Sequence, residues 1–334
     1  MIICGLYARL IYLSRAPLHR LPDGDECTEL LRTSCFSRRD VDHVCGDRGL
    51  IRLKGAYPRE VSELQILVGS RGSRHTLSGA SARLWSSSLP GGTVCRVEDG
   101  PGKGLLVASP ELYLLLRAAE LPRWELVLLA MEFWGRFDSR EDVEGGVARR
   151  PYPLASPESV KRVVGPLLTG TRGSVPVRAA LAHGLPGSRS PRESAMALFL
   201  SLPRRLGGMG LGPLELNVPL GLSPQGQRIL GADHALPDLL FPSASLDVEY
   251  DSSAHHLEPR EVLRDKNHQL ALQASGIEVM PVTGSVAGEY GSLVAAAEAI
   301  AARVLGCEPP PFTEGLEQRR RKLYEELFRV RTLW

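Results

Sequence analysis

Apolar residues first recur at a clear helical period near residue 110. Leu112, Leu115, Leu116 and Ala119, then Leu126, Leu129, Ala130 and Phe133, fall at spacings of three and four, which predicts two successive helices. Ser109 can cap the first, with Pro110 at its opening position and Glu111 in its first turn. After a charged, Gly/Pro-rich connector at 136–156, SPESVKRVVGPLLTG and VPVRAALAHGL add two short helices up to about residue 185. From 188 the two periods alternate. SRSPRESAMALFLSLP reads as a helix, LELNVPL and LDVEYD as strands, and REVLRDKNHQLALQASG as a helix stopped by Gly276. IEVMPVT reads as a further strand and SLVAAAEAIAARVLG as a further helix. That order predicts an α/β unit around a mixed sheet. The last segment, EGLEQRRRKLYEELFRVRTLW, is amphipathic, with Leu316, Leu323 and Leu327 on one face. Its QRRRK run reads as a solvated helix face.

The first hundred residues are turn-rich and carry no long period. MIICGLYARLIYL is apolar but cut by Arg9 and reads as a strand or short helix. DECTELLRTSCFSRRDVDHVCGD suggests one or two short helices before a strand or hairpin at LIRLKGAY, compatible with a reduced helix-turn-helix or with a packing subdomain. The expected organisation is a mixed region at 1–103, a helical linker at 104–187, an α/β domain at 188–306 and a C-terminal amphipathic helix at 307–334.

Composition changes this picture little. Length (334 residues) suits about two domains, and the net charge of +2 advertises no polyanion partner. Of the forty basic residues only five are lysine. Arginine suits phosphate contacts, although a GC-rich genome produces the same bias. The six cysteines form no CxxC pair, and Cys27, Cys35, His43 and Cys45 do not match a common zinc spacing. No apolar window reaches the roughly 18 residues of a membrane span, and no basic segment precedes an apolar run in the manner of a signal peptide. A cytoplasmic protein without a membrane segment or organic cofactor is therefore expected.

The chemistry concentrates in PDLLFPSASLDVEYDSSAHH, residues 237–256. The strand period of two puts Leu246, Val248 and Tyr250 on one face and Asp247, Glu249 and Asp251 on the other. Two charges roughly 7 Å apart repel by about 2.4 kcal/mol at an effective dielectric of ~20, but by only about 0.6 kcal/mol in water. A solvated face tolerates the triplet. A cleft demands a cation, a shared proton or an arginine. Asp238 lies eleven residues before Glu249, and a turn at PSAS would set the two carboxylates side by side. Such a pair, completed by water and phosphate oxygens, suits Mg²⁺.

Asp238, the E-x-D-x-x-x-H series of Glu249, Asp251 and His255, the RD pair of a following helix and the G-x-x-V of a strand together resemble the PD-(D/E)XK nuclease superfamily. More narrowly, residues 188–285 resemble the very-short-patch-repair-like endonuclease domain, found at the C-terminus of abortive-infection antitoxin-like actinobacterial proteins. The resemblance implies a restriction-endonuclease-like three-layer α/β/α sandwich that acts on DNA with Mg²⁺ or Mn²⁺. Asp238 and Glu249 would hold the metal, Glu193 in SPRES would be the acid donated from the first helix, and His255 would order or deprotonate the attacking water. Arg264 and Lys266, flanking Asp265, would contact DNA. No lysine follows Glu249; Asp251 stands there, a departure tolerable in a histidine-using enzyme. Each residue also has a plainer explanation. Ser190 and Glu193 have capping-box spacing, Asp238 can close a turn, His255 can end a strand, and Arg264 with Asp265 can form an exposed pair. The rival expectation is a nuclease fold that binds DNA as a regulator without cutting it.

Overall fold

The computed structural model of the chain describes residues 1–57, 63–251 and 259–329. The chain divides after Ala182 into two compact units. Both mix helices with sheet, so the protein is of the α/β class.

The first unit opens with β1 (Ile2–Cys4), α1 (Gly5–Leu13) and β2 (Leu18–Arg20). Three short helices follow: α2 (Gly24–Arg32), α3 (Arg38–Cys45) and α4 (Arg48–Leu53). Then come β3 (Leu64–Val68), β4 (Thr76–Leu77), β5 (Ala80–Leu84), β6 (Val94–Val97) and β7 (Leu106–Ala108). The predicted helical hairpin is α5 (Pro110–Arg117) and α6 (Arg123–Trp134), followed by a small hairpin of β8 (Phe137–Ser139) and β9 (Val147–Arg149). Helices α7 (Pro157–Val164) and α8 (Ser174–His183) end the unit.

Seven of these strands form one sheet in the order β2-β6-β7-β1-β3-β5-β4. The strand expected at LIRLKGAY is instead helix α4 and a 3-10 turn, because the Asp47 carboxylate accepts the Gly49 and Leu50 N–H groups and starts a helix. Ser109 caps α5 by accepting Leu112 N–H, as its position predicts. Ile2, Ile3, Leu64, Ile66, Leu112 and Phe133 are fully buried between sheet and helices.

The second unit contains α9 (Pro191–Ser201), β10 (Glu215–Leu216), β11 (Leu220–Gly221), α10 (Pro224–Leu230), β12 (His234–Ala235), β13 (Leu239–Phe241) and β14 (Leu246–Asp251). It continues through α11 (Pro259–Ala274), β15 (Glu278–Thr283), α12 (Gly284–Gly288), α13 (Tyr290–Leu305) and α14 (Glu314–Phe328). Its sheet runs β10-β13-β14-β15. The first two neighbours are antiparallel, whereas β14 and β15 are parallel, joined through α11. LELNVPL breaks into two short strands because Asn217 adopts a left-handed conformation (φ +51°) between them. Phe241, Leu246, Val248, Leu293 and Ala297 form a fully buried core.

Candidate active site

The turn between β13 and β14 sets their register at Leu239 opposite Val248, so Asp238 comes opposite Glu249. Directly opposed residues share a sheet face. Each strand's acid also reaches across to the other strand's backbone. Asp238 Oδ2 accepts Tyr250 N–H at 3.0 Å, and Asp247 Oδ1 accepts Leu239 N–H at 3.2 Å.

Glu193 arrives from α9. Ser190 caps that helix by accepting Glu193 N–H, but no bond from the Ser190 backbone N–H to the Glu193 carboxylate completes a capping box. Its Oε2 accepts Arg189 N–H and the Asn217 side-chain amide, each at 2.9 Å. Asn217 in turn donates its backbone N–H to Pro237 O and Asp238 O, which ties Glu193 to the start of β13. The loop before α9 presses on β10 at Gly187 (φ +97°), where a Cβ would stand 2.3 Å from Leu216 O. Only glycine fits that approach.

Glu193, Asp238, Asp247 and Glu249 thus gather in one place, and their electrostatics show it. Burial raises the Asp238 carboxyl well above its usual range, and Glu193 and Glu249 beside it push the same way. Burial also raises Glu193, against the hydrogen bonds from Arg189 and Asn217. Asp247 is fully buried and is pushed up to about 9, by burial first, then by Glu249 and Asp238. Glu249 goes the other way: burial would raise it, but His268 and Asp247 hold it below its usual range. At neutral pH, therefore, Asp247 carries a proton beside an ionised Glu249. Asp247 Oδ2 and Glu249 Oε1 are both buried; the two carboxyls share a hydrogen bond, and His268 Nδ1 stands 3.4 Å from Glu249 Oε1.

The imidazole beside these acids is His268 on α11, a residue that no sequence motif marks out. Its Nε2 accepts Leu236 N–H at 3.3 Å, so the proton of the neutral ring sits on Nδ1, 3.4 Å from Glu249 Oε1. The available signal was its place three residues before Ala271 and four before Leu272, both fully buried, which puts a histidine on the packed side of a helix. Asp265, one turn earlier, has its carboxyl raised by burial and by Glu249 and Asp251. Arg264 and Lys266 stand exposed on the same helix, and Asp251 ends β14 in solvent. His255 lies outside the described residues.

Among the described residues, no three histidine, cysteine or carboxylate side chains stand close enough to enclose a metal ion by themselves. The donor set fits a hard cation held by two carboxylates that keeps water or phosphate oxygens as its other ligands, the habit of Mg²⁺. It does not fit a structural zinc site, which takes four closely set protein ligands. Among the described residues no helix is long and apolar enough to cross a membrane. Comparison of the chain with family models, with curated proteins and with solved structures finds no match in any of the three.

The buried acids predict a pH dependence. Asp247 moves from an ordinary 3.8 to about 9 on folding, so between those values the folded chain holds a proton that the unfolded chain releases. The stability this contributes is complete below about pH 4 and is lost as pH rises towards 9. Raised Asp238 and Glu193 steepen that loss, and lowered Glu249 opposes it. The melting temperature in metal-free buffer should fall between pH 7 and 9, and Asp247→Asn should flatten the fall. Parallel curves for parent and variant would show that Asp247 does not titrate in this window.

Proposed function

We propose that residues 188–306 form a nuclease-fold domain and that the protein is a metal-dependent DNA endonuclease hydrolysing phosphodiester bonds. The observation that carries this reading is the gathering of Glu193, Asp238, Asp247 and Glu249 in one largely buried place. Four acids are not assembled in a half-dry site without a use for negative charge. The order α9, β10, β13, β14, α11, β15 and the mixed sheet are compatible with the three-layer sandwich that the resemblance implies.

Asp238 and Glu249 would hold Mg²⁺ or Mn²⁺, which when bound supplies a polarised water and neutralises charge on the scissile phosphate. The chain's own residues do the positioning. His268 directs its Nδ1–H at Glu249 and so fixes which carboxylate oxygen is left for the cation. Asn217 keeps Glu193 against Asp238. Asp247, protonated, donates towards Glu249 and avoids a third full charge. Arg264 and Lys266, free to reach outward from α11, would meet the DNA backbone, and His255 keeps its expected role beside the attacking water.

The test is duplex-DNA cleavage by the full chain in Mg²⁺ and in Mn²⁺, with the melting temperature followed over the same concentrations. Metal-dependent cleavage together with a metal-dependent rise in melting temperature is expected. DNA binding that needs no metal, with no cleavage and no thermal shift, would replace this reading with a nuclease-fold regulator. His268→Ala should lower the cleavage rate by about 10- to 100-fold, the range for residues that orient a metal ligand, while leaving the metal-induced thermal shift in place. An unchanged rate would remove His268 from the site.

A further inference from the structure

A cavity of about 590 Å³ opens in the first unit, well away in sequence from the carboxylates, between β5, the end of α5 and the loop that precedes α8. Its charge is one-sided. Arg74, Arg83 and Arg172 line it against a single acid, Glu120. That acid is already engaged: it pairs with Arg83 and with Arg117. Arg83 is further fixed by donating to Leu116 O at 2.6 Å. Arg74 and Arg172 stand exposed at the mouth, with no acidic partner among the described residues. Two unneutralised guanidinium groups at one opening form a site for an anion that offers several oxygens to their N–H forks, a phosphate above all.

The wall that carries Arg172 is built in place. Gly173 adopts φ +94°, and a Cβ there would stand 2.9 Å from Leu115 O and 3.0 Å from Ala119 N. The loop therefore lies backbone to backbone on the end of α5, and Thr171 and Arg172 share the cavity with the residues of that helix. Trp85, only 9 % exposed, also lines the cavity.

We propose that this cavity binds a free nucleoside phosphate. The phosphate would lie between Arg74 and Arg172 at the mouth. The base would enter the inner part, where Ala82, Leu84 and Leu115 give an apolar wall. The hydroxyls of Ser81 and Thr171 and the Gln65 carboxamide give polar edges there. The volume falls in the ordinary range of small-molecule pockets, roughly 300–1,000 Å³, and far exceeds what a lone phosphate fills. The proposal is independent of the reading given for the carboxylate site.

The experiment is isothermal titration of the full chain with AMP, GMP, CMP and UMP, and with adenosine and inorganic phosphate as controls. At least one nucleotide should bind, with adenosine and inorganic phosphate each at least about tenfold weaker, since each lacks one half of the contact. Arg74→Ala and Arg172→Ala should each weaken the nucleotide about tenfold without moving the melting temperature, and Arg172→Lys should restore part of the loss. No heat from any nucleotide would overturn the proposal, as would inorganic phosphate binding equally well. Binding unaltered in both alanine variants would place the ligand elsewhere and overturn it too. Tighter binding of a 5′-phosphorylated dinucleotide would overturn the assignment to free nucleotides in favour of a strand end.

Discussion

Glu249→Gln is expected to lower metal-dependent DNA cleavage by at least about 10³-fold, the scale on which loss of one charge-stabilising group acts at a reaction centre, and to leave the chain folded. Glutamine keeps the shape of glutamate, and its amide oxygen can still face His268 Nδ1, 3.4 Å from the carboxylate it replaces. What it removes is the charge. Of the clustered acids, Glu249 alone has its carboxyl held below the usual range, whereas burial and neighbouring acids raise Glu193, Asp238 and Asp247. It is therefore the acid of the cluster whose surroundings most favour the charged form before any cation arrives. In the parent, metal at 100 times its Kd should stabilise the fold by about 2.7 kcal/mol, and Glu249→Gln should lose that response. Without metal the variant should melt slightly below the parent, because the surroundings of Glu249, His268 and Asp247 first among them, favour its charged form. Cleavage within threefold of the parent would end the assignment, whatever the thermal data showed.

How far this site could be read from the chain depends on what each inference needed. Asp238 and Glu249 come together through a strand period and one short turn, both local, and the register bears out that pairing geometry. The alternation in LDVEYD also separates the acids from Leu246 and Val248, but alternation says nothing about what covers each face. Asp247 is fully buried and Asp251 exposed although they share a side of the strand, because cover along β14 ends before its last residue. His268 was overlooked for the same reason. Its spacing shows only that it lies on the packed side of α11; that it comes within 3.4 Å of Glu249 is a tertiary relation that the helix's own sequence does not reveal. Asn217 was hidden differently, since a residue at positive φ interrupts what its apolar neighbours present as one strand.

The first unit was harder to read still. Its seven-stranded sheet is made of strands two to five residues long, too short for a period to show. The pairs join distant segments: β1 lies beside β3 and β7, so Ile2 meets both Leu67 and Leu106. The helical hairpin α5–α6 was legible because Ser109, Pro110 and the leucine spacing act within a few turns. Arg9, which interrupts the opening apolar run, points to what the sheet hides. It is buried, and it finds its counter-charge 123 residues away on α6.

Replacing that arginine should cost the first unit about 3–5 kcal/mol, the usual penalty for leaving one member of a buried ion pair behind. Arg9 Nη2 lies 2.5 Å from Glu132 Oε1, with both side chains almost fully buried, and its guanidinium stacks 4.5 Å over the Tyr57 ring. Glu132 is further held by the Ser139 hydroxyl at 3.1 Å, and a second buried pair, Arg150 with Asp138, lies close by. Burial already raises the Glu132 carboxyl, with Asp138 adding to the rise and Arg9 the largest influence against it. Arg9→Met keeps most of the side-chain volume and removes that influence, so Glu132 must either remain charged without its partner or take up a proton. For a unit of this size the loss corresponds to a fall of roughly 10 °C in melting temperature. The fall should be smaller at pH 5 than at pH 8, because protonating Glu132 relieves the stranded charge. Adding Glu132→Gln to Arg9→Met should recover part of the stability by making that relief permanent. A single-variant loss below about 1 kcal/mol, or a double variant less stable than Arg9→Met alone, would mean that the pair is not the electrostatic centre of this core.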